Sequence, residues 1–121
     1  MLVFFKYISN NDSLWVSTRI GEVFCIWEGN QTPKEYVEYD VTLEIEDVIS
    51  IYQSKKEEYK LSFDDNYIAT VQLIDILEEK LYLFKVETDQ IMIELSSNDI
   101  LKKGNFYTII FKCLRVFDNS L

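Results

Sequence analysis

From residue 36 to 46 the chain alternates. Val37, Tyr39, Val41, Leu43 and Ile45 are apolar, and Glu38, Asp40, Thr42, Glu44 and Glu46 stand between them. A period of two sends successive side chains to opposite faces of a strand, so this stretch predicts a β-strand with an apolar inner face and an acidic outer one. Runs rich in β-branched and aromatic residues predict further strands at 1–8, 14–18, 22–28, 59–63, 67–76, 81–87 and 91–95, and a long one at 106–117. Small polar clusters at 9–13, 29–34, 64–66, 77–80 and 88–90 supply the reversals of a meander. The 106–117 run exceeds an average strand, which predicts a bend or bulge within it.

Two segments depart from this rhythm. In residues 47–58 the positions of Val48, Ile51 and Tyr52 fit a helical turn, and the polar residues after them predict a loop with a short helix. Ser96 as an N-cap, Asp99 in the first turn and Gly104 as terminator predict one short helix over 96–103. Phe4 with Phe5, and the run 109–111, break strict alternation, implying strands buried on both faces or apolar surface covered by a second copy or a partner. The chain therefore reads as a single domain over 1–121, mainly β: a small antiparallel β-barrel or sandwich with one or two short helices.

Composition narrows what such a domain does. With 48% hydrophobic and 15% aromatic residues, the 121-residue chain has ample apolar area to build a core. Its 21 Asp and Glu against 12 Lys and Arg give a net charge of -9. That balance disfavours nucleic acid, whose binding comes largely from basic side chains displacing counterions, and it disfavours anionic membranes. It favours a basic partner, whose approach an acidic surface accelerates. The apolar start of the chain has no basic stretch before it and no small-residue cleavage site after it, and so reads as a first strand rather than a signal peptide. Cys25 and Cys113 sit inside apolar runs, which predicts buried free thiols in a reducing cytoplasm and leaves a disulfide between them open.

The chain contains no histidine, which removes the commonest general base, the usual nucleophile pairs and the most frequent nitrogen ligand for zinc. Its three glycines are isolated, so there is no phosphate-binding loop. The expectation is a protein that is not an enzyme and carries no cofactor or metal. The pairs Asp64-Asp65, Glu78-Glu79 and Glu46-Asp47 are the remaining candidates for acid–base or hard-cation chemistry, at turns and strand ends where carboxylates commonly serve solvation.

The acidic row is the better signal. Carboxylates two residues apart on a strand lie roughly 6.5–7 Å from one another, inside a Debye length of about 8 Å, and repel unless a cation answers them. The cation can come from Lys60, Lys85, Lys112 or Arg115 on neighbouring strands, or from another molecule; the charges can also protect an edge strand from unwanted pairing. The partner-binding candidates are Glu38, Asp40, Glu44 and Glu46, with Asp64, Asp65, Glu78 and Glu79 as loop contacts. Trp15 and Trp27 are core fillers or interface anchors, and the density of apolar neighbours favours the core for at least one.

Residues 39–47, the meander after them, the predicted helix at 96–103 and the closing run 104–118 together resemble the layout of small five-stranded Greek-key barrels of the OB type. The helix before the last strand is the main similarity, although in that fold it commonly lies between the third and fourth strands. In size, charge and lack of catalytic residues the chain is also similar to the small acidic immunity proteins that bacteria encode beside toxins. That resemblance implies a cytoplasmic protein that neutralises a cognate, basic toxin domain by direct contact, with no cofactor, nucleic acid or membrane involved. The alternative is an oligomerising or small-ligand-binding β-barrel accessory protein, with a homodimer left open. A third is a hydrolase built on two converging carboxylates.

Overall fold

The computed structural model describes residues 1–7, 13–96 and 100–119. They form nine strands and no helix: β1 (Leu2–Tyr7), β2 (Ser13–Thr18), β3 (Gly21–Glu28), β4 (Glu38–Gln53), β5 (Lys60–Asp64), β6 (Asn66–Glu78), β7 (Leu81–Val86), β8 (Asp89–Glu94) and β9 (Phe106–Asp118). All belong to one sheet, antiparallel except for a single parallel contact. The protein is mainly β, as the alternation predicts.

Two long strands organise the sheet. β4 and β9 pair antiparallel from Val41 opposite Asp118 to Gln53 opposite Tyr107. At one end of this ribbon, β1 pairs with the start of β4 and β2–β3 follow as a meander. β3 then meets the end of β9 in parallel, with Ile26 opposite Arg115. These contacts join β1, β2, β3, β9 and β4 into a partial ring. At the other end, β6 pairs with the first half of β9, β5 folds back onto β6, and β7 and β8 continue outward. The last of these, β8, curls round until it lies within 8 Å of β4 between Cα atoms.

The buried face of the ribbon changes along its length. Leu43 opposite Val116 and Ile45 opposite Leu114 are buried in the first half. Farther on, Val48 opposite Phe111 and Ile51 opposite Ile109 turn inward, and by the register they lie on the face of Glu44 and Glu46. Both halves nevertheless share one contiguous core, from Val3, Phe5 and Val16 through Ile109 and Phe111 to Phe84 and Ile93. Each fully buried Phe or Leu in it contributes roughly 1.5–3 kcal/mol relative to exposure. Trp27 packs edge-on to Phe5 at 5.2 Å and joins this core, while Trp15 lies tilted over Phe24 at 3.9 Å.

Several expectations are corrected. Residues 47–53 are strand, not loop or helix: Asp47 adopts a left-handed φ of 58° and Ile49 is an extra residue between the pairs Val48–Phe111 and Ser50–Ile110. A bulge of this kind breaks the period-two pattern without ending the strand. The predicted helix at 96–103 lies partly outside the described residues, and its described part is irregular chain leading into a turn. The only apolar residues there, Ile100 and Leu101, are adjacent, and a helix needs a stripe spaced by three or four to dock. Leu101 is buried and Ile100 is 91% exposed. Gly104, at φ 89°, makes the turn into β9 and donates its N–H to the Leu73 carbonyl at 2.7 Å. The turn cluster at 9–13 falls outside the described residues save Ser13, which begins β2. The resemblance to an OB-type layout rests on residues 39–118, whereas the observed ring takes three of its strands from the first 28 residues.

Candidate functional site

The acidic row sits where the strand pattern puts it. Glu38, Asp40, Thr42 and Glu44 are exposed and Glu46 is half-buried, all on the face of β4 opposite the ring interior. Two strands flank β4, namely β1 along 38–40 and β9 along 41–53, so cross-strand cations can come from these alone. Among the described residues no ion pair joins Lys60, Lys85 or Lys112 to the row. Arg115 answers it: its Nε donates to both Glu46 carboxylate oxygens at 3.1 and 3.2 Å, and its Nη1 donates to Glu28 Oε1 at 2.5 Å.

One guanidinium thus serves two carboxylates and stands opposite a third, Glu44. Glu44 is held above the usual glutamate range by the hydrogen bond it shares with Glu46 and then by desolvation. Glu46 is held below it, first by that bond from Glu44 and then by Arg115. The two effects oppose each other with pH. Glu46 adds stability that is lost as pH falls through its lowered pKa, and Glu44 adds stability that is lost as pH rises through its raised one. Carboxyl-detected NMR titration should show Glu44 titrating above Glu46, and in Arg115→Gln the Glu46 curve should move up towards Glu44. At the other end of the row, Asp40 Oδ1 accepts from the Met1 amino group at 3.4 Å, and the same group donates to Asp89 Oδ2 at 2.5 Å.

The eight candidate residues do not converge. Asp64 and Asp65 are exposed at the β5–β6 turn, where Asp65 has a φ of 62°. Glu78 and Glu79 are exposed at the β6–β7 turn. The row on β4 forms the only continuous stretch among the eight.

Sequence reasoning missed the groove beside that row. It measures about 1260 Å³ and runs between β4, from Thr42 to Ile51, and the β7–β8 hairpin, from Lys80 to Ser96. Its lining is mixed. Leu81, Leu83, Ile91 and Met92 are apolar, and Glu44, Glu46, Asp47 and Glu94 are acidic against one ammonium, Lys80. The groove lies beside β4 past its pairing with β1, whose last exchange of hydrogen bonds is between Met1 and Val41.

Chemistry by nucleophile or metal finds little support nearby. Among the described residues no cluster of three or more Cys, Asp or Glu side chains is placed to hold a metal ion. Cys25 is buried and its thiol is pushed up to about 12 by desolvation, while Cys113 is half-buried beside Glu46 and also raised by desolvation; both are free. No helix among the described residues is long and apolar enough to cross a membrane. Compared with known protein families, curated proteins and solved structures, the chain gives no match.

Proposed function

We propose that this chain is an immunity-type binding protein, cytoplasmic, which neutralises a cognate, basic toxin domain by direct protein–protein contact. The observation that carries this reading is the under-compensated acidic face of β4, where Arg115 is shared between Glu46 and Glu28 and Glu44 lies beside them. With a net charge of -9 behind it, that face attracts a cationic surface over a Debye length and discriminates against anionic ones. Asp64, Asp65, Glu78 and Glu79 extend the same field from two hairpin turns and act in steering rather than in the contact itself.

The test mixes the protein with the basic domain encoded beside it and follows association by surface plasmon resonance from about 0.05 to 0.5 M salt. The expected result is a tight complex whose association rate falls steeply with salt. The double substitution Glu44→Lys and Glu46→Lys should slow association by about tenfold or more, and should also lower the melting temperature because the change at position 46 breaks the pair with Arg115. Absence of binding at low salt would end this reading. The groove favours a second one, a small-ligand-binding protein, because its volume of about 1260 Å³ is ample for a small molecule, whose sites run ~300–1,000 Å³. Native mass spectrometry showing a retained small molecule would favour it.

A further inference from the structure

We propose that Tyr36, with Val37 beside it, anchors the contact with the basic partner: the ring enters an apolar pocket on that partner, and the carboxylates around it meet the cations at the pocket's rim. This rests on the reading of a basic partner and names the place where that partner is held. Left-handed backbone is the first sign. Among the described residues five non-glycine positions adopt it, and four of them have a local reason: Asp65, Lys80 and Glu87 make hairpin turns, and Asp47 precedes the bulge of β4. Tyr36, at φ 58°, stands in no hairpin and at no bulge. A bulky side chain is disfavoured in that conformation, which Gly or Asn adopts readily. The fold gains little from the ring in return, since Tyr36 is 73% exposed.

The loop that carries it is fixed to the ring of strands. Trp27 Nε1–H donates to the Gln31 carbonyl, Lys34 N–H donates to Tyr39 Oη and Tyr36 N–H donates to the Phe5 carbonyl, each at 2.8 Å, and Pro33 between them is buried. Phe5, Trp27 and Tyr39 pack edge-on to one another with ring centroids 5.2, 5.5 and 5.9 Å apart, so all three ties run to one aromatic cluster. A loop held in this way has little freedom left to lose on binding, and a tyrosine brings a large contact area on few rotatable bonds. Val37, 42% exposed, widens the apolar tip.

Charge selects the occupant. Glu35, Glu38 and Asp40 lie within four residues of Tyr36 and are exposed, against Lys34 alone. A second copy of this chain, itself at -9, would bring like charge to the tip, and an anionic bilayer would be repelled in the same way. A basic domain is attracted. Anchors of an interface sit near its centre and charges near its rim. The row from Glu38 to Glu44 extends about 20 Å, so an interface of ~800 Å² per partner centred near Tyr36 reaches it. The two features then act on different rates: the row on association, Tyr36 on dissociation.

The test takes Tyr36→Asn and Tyr36→Phe through surface plasmon resonance against the basic domain encoded beside the protein. Asn accepts left-handed backbone, so the melting temperature of Tyr36→Asn should rise by about 2–5 °C. Its complex should nonetheless dissociate about tenfold faster or more, with the association rate little changed. Tyr36→Phe should stay within about threefold of the parent in both rates. Hydroxyl-radical footprinting of the parent gives a second measurement: Tyr36 should lose most of its reactivity in the complex, while Tyr52, 54% exposed near the far end of β4, keeps its own. An unchanged dissociation rate in Tyr36→Asn, or a Tyr36 as reactive in the complex as in the free protein, overturns the anchor and leaves charge-based neutralisation standing. A melting temperature that falls in step with the affinity overturns it too, because Tyr36 would then be serving the fold. If the parent fails to bind the basic domain at low salt, the functional reading falls and the anchor with it. Protection of Tyr36 in the protein alone as its concentration rises would seat a second copy on this tip and overturn the proposal equally.

Discussion

Gly21→Ala should cost about 3 kcal/mol or more and lower the melting temperature by roughly 10–20 °C. Gly21 opens β3 directly after the β2–β3 turn, where Thr18 Oγ1 accepts from Ile20 N–H at 3.1 Å and donates to the Gly21 carbonyl at 2.9 Å. The turn is clamped from outside by Leu61 of β5, whose N–H donates to the Ile20 carbonyl at 2.9 Å. A Cβ on Gly21 would lie 1.7 Å from the Leu61 carbonyl oxygen and 2.9 Å from its carbon. Backbone cannot rotate away as a side chain can, so β5 must move and lose that hydrogen bond. The φ of 151° adds strain of its own. Overpacking costs ~1–3 kcal/mol and a disfavoured backbone geometry ~1–3 more. Gly104→Ala is the control, since its Cβ would meet nothing within 4 Å and only the φ of 89° opposes it. Urea denaturation should show it losing about 1 kcal/mol, and equal losses at the two positions would remove the clash as the cause.

The contrast between these glycines shows where the sequence is legible. Alternation placed β4 up to Glu46 and most of β5 to β9, because side-chain period is a local property written in adjacent residues. It failed at Asp47, where one left-handed residue and one bulged residue shift the pattern while the ladder with β9 continues. Past that point Val48 and Ile51 face a different half of the core, and their spacing imitates a helical turn. The acidic row was visible in the same way, as a face. Its compensation was legible only as four candidate cations, Arg115 among them, because Arg115 lies 69 residues from Glu46 and 87 from Glu28, and only the β4–β9 and β3–β9 registers bring the three together. The groove is less legible still. Its walls, β4 and the β7–β8 hairpin, are brought together only by the curl of the sheet, which no run of adjacent residues records.

Phe111→Ala should cost about 3–5 kcal/mol, a large share of the ~5–15 kcal/mol that holds a domain of this size. Phe111 is fully buried, stacks on Tyr67 with ring centroids 5.1 Å apart and planes 14° from parallel, and lies opposite Val48 just beyond Asp47. It therefore fills the place where the buried face of the ribbon changes over. Truncation leaves a cavity among β4, β6 and β9 that strands fixed on both sides cannot collapse into. Ile110→Ala, one residue along and half-buried on the opposite face, should cost about 1 kcal/mol. Because β4 and β9 run through both halves, the loss at Phe111 should be global. Amides of β1–β3 and of β6–β8 should lose exchange protection together in Phe111→Ala, with one urea transition. Loss confined to β6–β8 would mean that the partial ring around β1–β3 stands by itself, and that the shared ribbon does not couple the acidic face to the wall of the groove.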